Sequence, residues 1–201
     1  MHWGYFIDTF DPLTLLHLHA AEVLRHRFNL DKVLFAPYSS LRRDKKIFAS
    51  NEHRLHMLYS TLNQNPYFSV DDQEIRSSHH QVPPLYQTLE EVKARYPTID
   101  LQVIMGVSDL IDLGMQECQT TRLLLERNLF LIVSRDDKDV EKILRFYPVF
   151  KPYRHHFQYV NFPEGFRSLT VYIQQEVQRG NPPRHLLPAE VYEYLVKEFI
   201  H

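Results

Sequence analysis

Apolar positions along the chain fall into short unbroken runs that alternate with segments of helical period. The runs Trp3-Gly4-Tyr5-Phe6-Ile7, Lys32-Val33-Leu34-Phe35-Ala36, Leu101-Gln102-Val103-Ile104-Met105 and Leu129-Phe130-Leu131-Ile132-Val133 are the lengths of strands, and the last is apolar throughout, as a strand covered on both faces must be. Shorter strands are expected around Phe68-Ser69-Val70 and at Phe157-Gln158-Tyr159-Val160. Between them the period changes to 3.6. A first helix carries Ala20, Ala21, Val23 and Leu24 and runs to about Phe28; a second opens at Ser50-Asn51-Glu52 and continues through Leu55, Met57, Leu58 and Leu62. A third spans about Leu85 to Tyr96, two short helical stretches follow Gly106, another covers Asp137 to Phe146, and two more close the chain on either side of Asn181-Pro182-Pro183. Ser39 to Lys46 and Ser78 to Pro84 read as loops. Six strand-then-helix units predict an α/β fold with a doubly wound parallel sheet of about six strands. With no repeat or long linker to divide it, residues 1–201 are expected to form one domain, helical from about residue 165 onward.

Composition narrows the function classes. A hydrophobic content of 44% supports a real core, and a net charge of -2 gives no general attraction to nucleic acid or to an anionic membrane. Cys118 is the only cysteine, which excludes an internal disulfide and a cysteine-cluster zinc site. No basic and apolar leader opens the chain, and no apolar run approaches the roughly 18 residues of a membrane span, so a cytoplasmic location is expected. The pairs His79-His80 and His155-His156 are adjacent residues that point to different sides, with no carboxylate to complete a ligand set; no structural metal is expected.

The chemistry concentrates after the first strand, in Thr9-Phe10-Asp11-Pro12-Leu13-Thr14-Leu15-Leu16-His17. In an open α/β sheet the loop leaving a strand's carboxyl end is where ligands bind, and the next helix points its first amides there. Thr14 and His17, three residues apart on that first turn, face the same crevice. Thr14 also suits an N-cap, and Asp11 with Pro12 suits the shaping of the turn.

This stretch resembles the opening of the nucleotidyltransferase superfamily, and within it nicotinate-nucleotide adenylyltransferase, whose members read G-G-[ST]-F-D-P-x-[HT]-x-G-H. Thr9, Phe10, Asp11, Pro12, Thr14 and His17 match, while Asp8 and Leu16 stand where the family has glycines. The resemblance extends over nearly the whole length. Glu52-His53-Arg54-Leu55-His56-Met57-Leu58 is similar to the family's x-H-R-L-x-M-L helix, and Arg184-His185-Leu186-Leu187-Pro188 with Val191 and Tyr194 to its closing R-Y-L-V-P-x-x-V-x-x-Y segment.

The resemblance implies a Rossmann-like nucleotidyltransferase fold and adenylyl transfer from ATP, with Mg2+, to a mononucleotide in NAD biosynthesis. His17 and Thr14 are then the catalytic pair, and the amides of Thr9 and Phe10 hold phosphates. A carboxylate at Asp8 opposes those phosphates unless a metal ion or cation intervenes, and Leu16 adds bulk at the adenine floor. The family's G-A-D-S-L turn corresponds to Gly106-Val107-Ser108-Asp109-Leu110, with Ser108 and Asp109 exchanged. Its S-S-T-x-I-R phosphate motif lies within Ser168-Leu169-Thr170-Val171-Tyr172-Ile173-Gln174, in a register that leaves Ser168 or Thr170 as the hydroxyl and Ile173 or Gln174 in place of the arginine. On the substrate side, Arg43 and Lys45 sit in the loop that corresponds to a phosphate-facing P-P-H-K segment. Thr88 and Leu89 are what remains of the pyridine-binding S-Y-T-x-D-T-L, and Gln116 falls where a stacking tryptophan is usual. Together these departures imply weakened transfer or an altered acceptor. The competing expectation is a non-catalytic homologue that binds a nucleotide or a protein partner, and a homo-oligomer stays open.

Overall fold

In the computed structural model, which describes residues 1–42, 45–76, 83–134, 137–162 and 166–200 and only the backbone of 137, 138 and 166–168, six strands form one parallel sheet. They are β1 (His2–Asp8), β2 (Lys32–Pro37), β3 (Phe68–Val70), β4 (Asp100–Gly106), β5 (Leu129–Ser134) and β6 (Phe157–Asn161), in the spatial order β3-β2-β1-β4-β5-β6. Every neighbouring pair is parallel, with Phe6 opposite Phe35 on one side and Ile104 on the other. The order reverses between β1 and β4, so the loops leaving those two strands diverge and open a crevice at the sheet's carboxyl edge.

Strand periodicity distributes the core. Phe6, Phe35, Ile104, Leu131 and Val160 face one way and pack against α1 (Leu15–Arg27), α2 (Asn51–Leu62), and the helices at 166–178 and 189–199; Tyr5, Ile7, Leu34, Val103, Met105 and Ile132 face the other. The second face is covered by α4 (Leu85–Arg95), α5 (Val107–Met115), α6 (Gln119–Arg127) and α7 (Asp137–Phe146), a short α3 (Gln73–Arg76) lying before them in the chain. The two closing helices are α8 (Phe166–Gln178) and α9 (Ala189–Phe199). Both faces of the sheet are thereby buried, which is why its strands read as near-continuous apolar runs.

The strands and long helices fall where the hydrophobic pattern places them. Three short pieces do not appear in that pattern: α3 and the 3-10 segments Pro148–His156 and Arg184–Leu186. Each is too short or, with Pro152 inside it, too irregular to show a 3.6-residue period. The predicted loop from Ser78 lies mostly outside the described residues. Among the described residues no helix is long and apolar enough to cross a membrane.

Candidate functional site

The crevice is built around the loop from Asp8 to Thr14. Phe10 adopts a positive φ of 45°, unusual for a residue with a side chain, and is held there because its ring is wholly buried. That ring meets Phe6 and Phe35 at 5.3 Å and the His17 ring edge-on at 5.2 Å. The loop is also tied from behind. Asp11, wholly buried, accepts the backbone N–H groups of Phe48 and Ala49, and the Asp11 carbonyl accepts a 2.6 Å hydrogen bond from Gln174 on α8. Arg54, on the first turn of α2 and fully buried, donates to the Thr9 carbonyl at 2.8 Å and to Asn51 Oδ1 at 2.6 Å.

Thr14 caps α1 and orients His17. The Thr14 Oγ accepts from the His17 N–H, and the Thr14 N–H donates to His17 Nδ1 at 3.0 Å, with the Thr14 Oγ 2.8 Å from the same nitrogen. A ring nitrogen that accepts from an amide carries no proton, so the imidazole proton is on Nε2. Burial pushes the His17 pKa down to about 3, so the ring is neutral at pH 7. Its Nε2 lies 3.8 Å from Asp8 Oδ2, too far for a hydrogen bond. The Asp8 carboxylate itself accepts from the Thr9 N–H at 2.5 Å, the Thr9 hydroxyl at 3.1 Å and the Phe10 N–H. Loss of surrounding water raises its pKa, against those hydrogen bonds. The two amides expected to hold phosphate are thus real anion donors, and an anion of the chain's own is on them.

Across the crevice, Gly106 ends β4 and Asp109 sits on the first turn of α5 with Ser108 beside it. Asp109 is buried and accepts from Tyr38 Oη at 3.0 Å and Lys45 Nζ at 2.8 Å; Lys45 also reaches Asp112 at 2.6 Å. Burial raises the pKa of Asp109, with Lys45 opposing it, and raises Tyr38 well above its ordinary value. For Lys45 the two carboxylates outweigh burial and hold it more firmly protonated. An open cleft of about 100 Å³ continues from this cluster, lined among others by Ile7, Tyr38, Leu85, Tyr86, Gln116 and Thr121.

Lys45 is engaged by two carboxylates, its ammonium lying over the Tyr38 ring, and it lines the cleft. Thr88 is 1% exposed and is not part of the cleft lining that its neighbours Leu85 and Tyr86 supply. Phe10 contributes its amide alone. In α8, Ile173 is buried in the core, so Gln174 stands at the arginine position; Thr170 is partly exposed, Ser168 belongs to the helix backbone only, and Arg43 lies outside the described residues. Leu16 is partly buried on the first turn of α1. Two contributors carry no obvious sequence signal, Tyr38 as a partner of Asp109 and Arg54 as the anchor of Thr9. The one hint for Arg54 is a cation flanked by Leu55, Met57 and Leu58. Among the described residues no group of three or more His, Cys, Asp and Glu side chains is placed to hold a metal ion.

Comparison with known proteins gives consistent findings. The family model described as cytidylyltransferase-like matches residues 5–176. A probable nicotinate-nucleotide adenylyltransferase of Desulfitobacterium hafniense is 32% identical over 199 residues, covering 96% of this chain and 91% of the relative. One of Carboxydothermus hydrogenoformans is 31% identical over 195 residues, covering 96% and 94%. Among solved structures, the Plasmodium falciparum nicotinic acid mononucleotide adenylyltransferase complexed with NaAD superposes with a TM-score of 0.68 at 20% identity, covering 98% of this chain and 95% of that one, a likeness of fold.

Proposed function

The chain belongs to the cytidylyltransferase-like family of nucleotidyltransferases, and on that premise we propose that it transfers the adenylyl group of ATP to a mononucleotide, as the names of its relatives indicate. The observation that carries this reading is the fixed tautomer of His17. With Nδ1 committed to the Thr14 N–H, a neutral imidazole keeps its one proton on the nitrogen nearest the crevice-facing Asp8. A preorganised donor of that kind stabilises charge building on an α-phosphate as an acceptor phosphate attacks and pyrophosphate leaves. No nucleophilic side chain is needed; catalysis is positioning plus charge stabilisation, to which magnesium on the triphosphate adds neutralising charge. The Thr9 and Phe10 amides, already arranged around an anion, would hold phosphates, and Gly106 would let the nucleotide approach the end of β4.

The site supports slow transfer or a changed acceptor. Gln174 brings hydrogen bonding without charge where the family has arginine, and Gln116 offers no stacking surface beside the cleft. Nicotinate mononucleotide is accordingly expected to be a poor acceptor. A second reading, a non-catalytic homologue that binds a nucleotide or a protein partner, draws support from Gln174, whose amide is held on Asp11.

A pyrophosphate-release assay with magnesium-ATP and a panel of mononucleotides, run on the parent and on His17→Ala, tests the proposal. We expect turnover with at least one acceptor and a loss of ~100-fold or more in the variant, assayed well below its melting temperature so that both proteins are folded. An equal rate in His17→Ala would mean that a different crevice is active. No release with any acceptor, together with calorimetric binding of magnesium-ATP, selects the second reading.

A further inference from the structure

Among the described residues, Asp11, Asp109 and Asp112 are carboxylates near the crevice that are occupied from within the fold, Asp112 by Lys45. Asp11 holds the Phe48 and Ala49 amides, and Asp109 holds Lys45 and Tyr38. Asp8 is different. Its hydrogen-bond partners are the Thr9 amide and hydroxyl and the Phe10 amide, all neutral; among the described residues no lysine or arginine nitrogen lies within 4 Å of it, and Lys45, which acts on it from farther away, is itself held by Asp109 and Asp112. Its side chain keeps 26% of its surface open, whereas His17 beside it keeps 2%. It therefore presents a carboxylate without a direct cation partner on the donors that a nucleotide phosphate would use, Lys45 acting on it only from beyond ion-pair distance.

That placement has opposite consequences for two forms of one ligand. A free triphosphate brings three or four negative charges onto the donors already holding Asp8, and like charges a few ångströms apart in a partly desolvated crevice repel strongly. With a divalent cation on the triphosphate the sign of the interaction changes, because a carboxylate oxygen is a natural partner for a hard cation that also binds phosphate oxygens. We propose that Asp8 is a selectivity residue that makes this crevice accept a nucleoside triphosphate as its divalent-metal complex and reject the free anion. The proposal rests on the nucleotide-binding reading of the same crevice and adds to it which charge form enters.

Titration calorimetry of the parent, Asp8→Asn and Asp8→Gly with magnesium-ATP, and with ATP in excess chelator, tests it; thermal melts establish that each variant is folded. Asp8→Asn keeps the shape and most of the loop hydrogen bonds while removing the charge. The parent should prefer magnesium-ATP by well over tenfold, and the preference should shrink by about tenfold or more in Asp8→Asn, chiefly through tighter binding of free ATP. A preference in Asp8→Asn that matches the parent's overturns the proposal. The parent's own preference is decisive without any variant: equal affinity for the two forms overturns the proposal and leaves the adenylyl-transfer reading standing, whereas binding of neither form overturns both.

Discussion

Arg54→Met isolates how strongly the first loop is anchored from behind. Arg54 is wholly buried and makes two short contacts: one to the Thr9 carbonyl at 2.8 Å, which joins α2 to the residue that follows Asp8, and one within α2 to Asn51 Oδ1 at 2.6 Å. Each is a hydrogen bond from a charged donor, worth roughly 1.5–3 kcal/mol, so removing both costs about 3–6 kcal/mol before any relief. Relief is present, because burial of the guanidinium is unfavourable enough to lower its pKa and its Nε has no hydrogen-bond partner. Methionine fills a similar length without that burden. Asn51 Oδ1 also keeps the Ser40 N–H at 2.9 Å, so the main uncompensated loss is at the Thr9 carbonyl. The net expectation is a destabilisation of about 3 kcal/mol, or roughly 6–12 °C in melting temperature for a chain of this size. Asn51→Ala, which leaves the Thr9 contact in place, should cost about half as much. Urea unfolding at pH 7 measures both. A change below about 1 kcal/mol in Arg54→Met would refute the argument; the burial cost would then balance the two contacts, and Asp11 alone would hold the loop.

Two further outcomes follow from the same geometry. Burial holds the folded-state pKa of His17 at about 3, below the ordinary 6.5 of an exposed imidazole, so the unfolded chain binds the proton more readily; His17 stabilises the fold fully above pH 6.5 and loses that contribution as pH falls toward 3. By pH 5 the parent should have lost about 2 kcal/mol relative to His17→Asn, a gap that stability curves from pH 8 to pH 5 will reveal or exclude. Gly114→Ala places a methyl group 2.6 Å from the Tyr147 ring and 3.0 Å from Phe150, so despite alanine's better helix propensity it should cost about 1–3 kcal/mol in the same unfolding assay, and a neutral result would mean that Tyr147 swings outward freely.

The contrast between Val133 and Arg54 explains what the sequence could reveal. Strands such as Leu129–Ser134 are legible because burial on both faces imposes an apolar run, and helices such as Asp137–Phe146 because one buried stripe imposes a period; both constraints act between near neighbours. Contacts across the fold leave no such trace. Asp11 meets Phe48 and Gln174, and Tyr38 meets Asp109, through separations of 37, 163 and 71 residues. The family motif locates Thr14 and His17, yet only the capping geometry fixes which imidazole nitrogen bears the proton. For the same reason Lys45 reads from its loop as a phosphate-facing cation, although Asp109 and Asp112, more than sixty residues later, hold it.

The first loop is secured on one side only. Asp11, Phe10 and the Thr9 carbonyl face inward onto α2, α8 and the 48–49 backbone, whereas the Asp8 side chain keeps 26% of its surface open and Leu16 is only partly buried. Mutational tolerance is therefore divided along the loop's thickness. Replacements on the inner side are felt by the whole fold, while replacements on the outer side alter which ligands are admitted and leave folding nearly untouched. A selection experiment confined to positions 8 and 16 should find folded, functionally distinct variants far more often than one confined to positions 10, 11 and 54.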